Sequence, residues 1–221
     1  MISLKTISGE LRVHAPFTLF GSLTGIVIMV LMVFFQAPRG VSEFAFWALH
    51  PFHVLLSALV TAGMYRLHGG GKIWKTVLIG YFGSVGIASL SDSLIPYWGE
   101  SLLGLPNRGL HLGVIEKWWL VNPMAAAGIA VAYFRPSTKF PHAGHVLLSA
   151  WASLFHVVMA LGPGLDAATV IMSAVFLFLS VWLPCCTSDI VFPLLFAREG
   201  KMLAMSGANS EGERINADLR V

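Results

Sequence analysis

Histidines, acids and cysteines recur at helical spacings inside apolar sequence, and together they could hold a metal ion. His50 and His53 stand three residues apart in the tetrapeptide HPFH, a spacing that puts both imidazoles on one helix face. Asp92 lies near the end of one apolar stretch and His156 inside another. Neutral imidazole with carboxylate suits zinc, iron, manganese, nickel or cobalt, and open sites use about three protein ligands. His53, Asp92 and His156, supported by His50, are therefore the candidate ligands of one site. His145, Cys185, Cys186 and Asp189 form a second, weaker set, whose thiols and imidazoles suit zinc or copper(I). Adjacent cysteines rarely meet disulfide geometry, so a bridge between Cys185 and Cys186 is not expected.

These residues are carried by a chain of unusual oiliness. Apolar residues make up 56% of its 221 residues and charged residues only 11%, yet it holds eight histidines. A mean hydropathy of +0.76 excludes an ordinary soluble domain. In lipid an ionisable group is costly and marks function by default. The net charge of +3 comes from loops and gives no reason to expect nucleic acid as a partner.

Six apolar runs could span a bilayer: 17–35, 46–65, 74–94, 119–134, 145–161 and 167–183. A span needs about 20 such residues, so the fourth and fifth must extend into their flanks. The sixth continues past Pro184 toward Phe196, bent where proline removes a backbone donor. The expected fold is an all-α bundle of six transmembrane helices over residues 1–197, with a polar cytoplasmic tail at 198–221. The first run lacks an A-x-A-like cleavage site and reads as a retained span rather than a signal peptide. Eleven of the 14 Lys and Arg residues fall on the side of the termini and only Arg39, Arg108 and Lys117 on the other. By the positive-inside rule both termini are then cytoplasmic. A bacterial cytoplasmic membrane is the expected location, from the compact loops.

One connection is long. Residues 95–118 carry Trp98, Leu102, Leu103, Leu105, Leu110 and Ile115, a composition expected to lie on the external membrane surface. Gly69-Gly70-Gly71 reads as a turn. GGGK lacks the full phosphate-loop pattern. Asn122-Pro123 reads as the device that starts the fourth span.

Within this topology His50, His53, Asp92 and His156 come to one outer level, beneath His111 and Glu116. His145, Asp189 and the cysteines sit near the cytoplasmic face, with His14, His68 and His142 at similar depth. Helix rise puts the two levels about 20 Å apart. Serines and threonines connect them along two stripes, His50/His53/Ser57/Thr61 and His142/His145/Ser149/Ser153/His156. Ser84 and Ser91 in the third run join them. Such stripes could line an ion path or glue helices together. A histidine taken singly is more often an interfacial or packing residue, so the signal lies in the coincidence of depth.

Four functions follow from these features. A permease would bind a divalent transition metal, zinc or iron first, at the outer set and pass it to the inner set, as a homo-oligomer given so small a bundle. A membrane-embedded metalloenzyme acting on a lipid or interfacial substrate would use the metal to activate water. Glu100 or Glu116 would be its general base and residues 95–118 its lid, although the zinc-hydrolase pattern HExxH does not occur. A b-type cytochrome would hold two haem b groups, one between His53 and His156 and one between His68 and His142. A subunit of a larger membrane complex would use the same polar groups for packing.

Overall fold

The computed structural model describes residues 4–68, 72–136, 139–162, 164–186, 191–193 and 195–196, with side chains except at 4–11, 13, 14, 139–142 and 186. The described residues are helical and contain no strand. Lipid leaves an exposed backbone group without a partner, so helices are what apolar runs of this length must form. The main elements are α1 (Leu4–Phe34), α2 (Arg39–Leu67), α3 (Ile73–Leu102), α4 (Trp118–Phe134), α5 (Lys139–Ala160) and α6 (Ala167–Cys186). Five of them (Ala15–Phe34 within α1, α2, α3, Ala143–Ala160 within α5, Ala167–Cys185 within α6) are long and apolar enough to cross a membrane. α4 is apolar but has 17 residues, about 26 Å at ~1.5 Å per residue, short of a ~30 Å hydrocarbon core. Exposed Phe17, Phe20, Leu23, Val27 and Phe34 on α1, with Ile171, Val175 and Leu183 on α6, give the bundle the apolar exterior of a membrane protein.

α2 is the hub. It lies against α5, α4 and α3, while α1 closes over α5 and α6. α2 and α5 run antiparallel: Phe46 meets His156, and seven residues further on His53 meets His145, nearer the start of α5. α2 and α4 run parallel, because Lys117 sits over the Trp47 ring at one end and Arg66 over Tyr133 at the other. Gly128 permits this approach. A Cβ there would strike the Leu55 carbonyl oxygen of α2, and Ala58 at 2.9 Å.

The structure departs from the sequence reading in two places. α3 does not stop at Leu94 but continues to Leu102, so the first eight residues of the expected surface segment prolong the span. Two π-helical stretches, Phe82–Gly86 and Leu90–Leu94, make this possible. At the second, Ile95 N–H bonds the Leu90 carbonyl five residues back. Pro96 has no N–H to continue that pattern to Ser91, and the Ser91 carbonyl instead accepts from Ser153 Oγ at 2.9 Å. Residues 103–117 then form the connection to α4, with one helical turn at Gly113–Glu116. Asn122-Pro123 does not start α4, which begins at Trp118; Asn122 Oδ1 accepts from Tyr81 Oη at 2.8 Å and ties α4 to α3. α6 passes through Pro184 to Cys186, and residues 187–190, on which its expected run toward Phe196 depends, lie outside the described residues. Gly69–Gly71 and the tail 198–221 lie outside the described residues.

Candidate metal centre

Asp92 is the focus of the buried polar core. It sits in the π-helical stretch of α3, where Ser91, Asp92 and Ser93 are all 0% exposed. Both of its oxygens are engaged. His50 and His53 approach Oδ2 through Nδ1 at 2.8 and 2.7 Å. Ser91 and Ser149 donate their hydroxyls to Oδ1 at 2.7 and 2.8 Å. A carboxylate only accepts, so both imidazoles donate Nδ1–H, and a neutral ring at either position carries its lone pair on Nε2. HPFH spacing explains the pair: positions i and i+3 of α2 reach one oxygen. Pro51 between them is buried and lies inside α2 rather than in its first turn.

His53 also belongs to a second group. Its ring stacks on His145 with centroids 5.7 Å apart and planes 8° from parallel. Ligand atoms of His53, His145 and Cys185 all lie within 4.8 Å of one another, and all three residues are buried. Ligand atoms of His50, His53 and Asp92 meet the same criterion. His53 therefore belongs to both groups. Its Nε2 is buried and, among the described residues, has no hydrogen-bond partner. His50 Nε2 lies against Gly113 of the α3–α4 connection, where no Cβ could be placed without striking the ring.

His156 is not in either group. Its Nδ1 pairs with Glu100 Oε1 at 2.6 Å, both residues being buried. Eleven residues separate it from His145 on α5, about 16 Å of helix rise. Phe46 fills the space between, stacked on His50 and edge-on to His156, each with centroids 5.4 Å apart. His111 comes within 5.4 Å of the His156 ring, and its Nδ1 lies 3.3 Å from Glu116 Oε2.

The two levels expected from helix rise are thus divided differently. His53 meets His145 and Cys185 instead of standing about 20 Å from them. The cause is register: α2 starts at Arg39, so His53 is midway along it rather than near its external end. His156 instead meets Glu100, which the extension of α3 carries into the bundle. Glu100 and Glu116 belong to neither metal group, so the general-base role gains no support from their position. Of the expected haem ligands, His68 is exposed at the end of α2 with Nδ1 on the Met64 carbonyl. The side chains of His14, His142 and Cys186, and all of Asp189, lie outside the described residues.

The polar stripes are buried on both helices: Ser57 and Thr61 on α2, Ser149 and Ser153 on α5. Ser149 and Ser153 bond across to α3 and serve the Asp92 cluster. Ser84 turns back to its own helix at the Gly80 carbonyl, 2.7 Å away. Sequence reasoning valued Glu100 only as a base and missed its pairing with His156. The carboxylate was visible, but the continuation of α3 that buries it was not.

Comparison with protein-family models, with curated proteins and with solved structures finds no match. What the site defines by its own chemistry is a helical bundle whose buried His/Asp and His/Cys groups could hold a metal ion.

Proposed function

We propose that this chain carries a divalent transition metal across a membrane, with zinc or iron as cargo. The reading takes α4 as a sixth span and both termini as cytoplasmic, in a bacterial cytoplasmic membrane, with a homo-oligomer as the working assembly. One observation carries it. Ionisable side chains are strung through the bundle rather than gathered at one end. His111 and Glu116 stand at the exposed rim and His156 with Glu100 beneath them; His50, His53 and Asp92 follow, then His145 and Cys185. Below the rim every one of these residues is at most 2% exposed. Groups of this kind are costly in lipid, and helix packing does not require them. Close approach already comes from small residues, such as Gly21 against Ala150 and Gly80 against Ile129.

The chain's own residues would divide the work. The rim pair would attract the cation, His53 with its neighbours would take it from water, and the α5 stripe would supply hydroxyls along the route. Zinc or iron uptake into proteoliposomes loaded with a chelating dye tests this. Uptake above protein-free vesicles is expected. Protein that binds metal stoichiometrically yet moves none would reduce the site to a resident metal centre. Reporter fusions after Phe134 should give cytoplasmic signals; a periplasmic signal there would remove α4 from the set of spans.

A further inference from the structure

Two overlapping groups share His53, and one ion can occupy only one of them. We infer that the ion is held by His53 Nε2, His145 and the Cys185 thiolate, that Asp92 positions His53 without touching the ion, and that the cargo is a thiophilic divalent cation of the Zn(II) class. The inference rests on the metal reading above and narrows it.

The Asp92 group is already satisfied by itself. Its oxygens accept four hydrogen bonds, and the nitrogens that reach them present protons rather than lone pairs. An ion at Asp92 would have to displace two imidazole N–H donors. His53 Nε2 is the opposite case. It is buried and unpartnered among the described residues, and an unmatched buried polar atom is destabilising unless a Lewis acid takes its lone pair. Zn–N bonds of about 2.0–2.1 Å and Zn–S of about 2.3 Å put tetrahedral ligand atoms roughly 3.3–3.8 Å apart. The three ligand atoms, within 4.8 Å of one another, reach that spacing by closing at most about 1.5 Å. A metal-bound imidazole usually donates its other N–H to a carboxylate, which fixes its tautomer and raises its basicity; Asp92 Oδ2 stands at that position, 2.7 Å from His53 Nδ1. Two imidazoles and one thiolate are a soft donor set. Binding converts the Cys185 thiol to thiolate and releases its proton to water.

X-ray absorption at the zinc edge of the purified, zinc-loaded full chain tests the assignment. One sulfur at about 2.3 Å with nitrogens at about 2.0–2.1 Å is expected. Cys186→Ser should keep that sulfur; Cys185→Ser should lose it. Asp92→Asn should keep both the sulfur and the coordination number while weakening zinc binding about 10–100-fold. A shell without sulfur, a sulfur that disappears in Cys186→Ser, or a lower coordination number in Asp92→Asn overturns the assignment. The wild-type and Cys186→Ser spectra decide even if Cys185→Ser does not fold. A sulfur shell in protein that transports nothing would end the permeation reading and leave this site standing. Transport with a sulfur-free shell would do the reverse.

Discussion

Replacing Asp92 by asparagine separates its charge from its hydrogen bonds. The amide oxygen can face the two imidazole N–H groups, and the amide NH2 can face Ser91 and Ser149. Those hydroxyls then accept instead of donating, which serine does equally well. All four contacts at 2.7–2.8 Å can therefore survive. What disappears is charge assistance on the two imidazole bonds. Bonds to charged groups contribute about 1.5–3 kcal/mol against 0.5–1.5 for neutral ones, so Asp92→Asn should cost about 2 kcal/mol of stability. The same change lowers the basicity of His53 Nε2 and should weaken zinc binding about 10–100-fold, or about 1.4–2.7 kcal/mol. Asp92→Ala leaves four buried donors without their acceptor and should cost about 3–5 kcal/mol. Thermal unfolding in detergent followed by tryptophan fluorescence, with zinc affinity from chelator competition, reads both effects. The order expected is wild type, then Asn, then Ala. Zinc affinity equal to wild type in Asp92→Asn, or an Asn variant as unstable as Ala, refutes the reasoning.

Other parts of the molecule make separable predictions. The buried Glu100–His156 pair at 2.6 Å should show a coupling energy of about 0.5–3 kcal/mol in a Glu100→Gln, His156→Gln double-mutant cycle; additive losses would show that the two do not act on each other. Gly128→Ala drives a methyl into the Leu55 carbonyl and should cost about 1–3 kcal/mol. Gly86→Ala, with nothing within 4 Å of its Cβ, should not destabilise, and equal melting losses in the two variants would contradict the close α2–α4 packing. Asp166 caps α6 just ahead of its apolar stretch: the Thr169 backbone N–H donates to Oδ1 at 2.6 Å and holds the carboxyl below its ordinary 3.8. A depressed folded value adds stability above the unfolded one and loses it as pH falls. Asp166→Ala should therefore be less stable than wild type at neutral pH and converge with it in acid below 3.8; a gap independent of pH would remove the cap's charge from the account.

The helices were legible because apolar runs 19–21 residues long, such as Phe17–Phe35 and Trp74–Leu94, leave little else for the chain to do in lipid. HPFH likewise announced two imidazoles on one face, and one carboxylate oxygen receives both. The register between α2 and α5 was not legible. No residue pattern says where along an antiparallel partner a helix stands, and the offset of α2 exchanged the neighbours of His53 and His156. The π stretches of α3 were hidden for a related reason. The second lies where Pro96 breaks the backbone pattern and Ser153 of another helix takes up the Ser91 carbonyl, a tertiary event with no local signature. Cys185 was readable as a donor, but its meeting with His53 needed that same offset.

His53 is the residue on which both metal groups depend, and its removal tests the account most directly. Zinc flux into dye-loaded proteoliposomes should be saturable for the wild-type chain and fall to the protein-free rate in His53→Ala, at equal protein incorporation and with the helical content retained. Wild-type flux in His53→Ala would place the ion elsewhere and contradict the account at its centre.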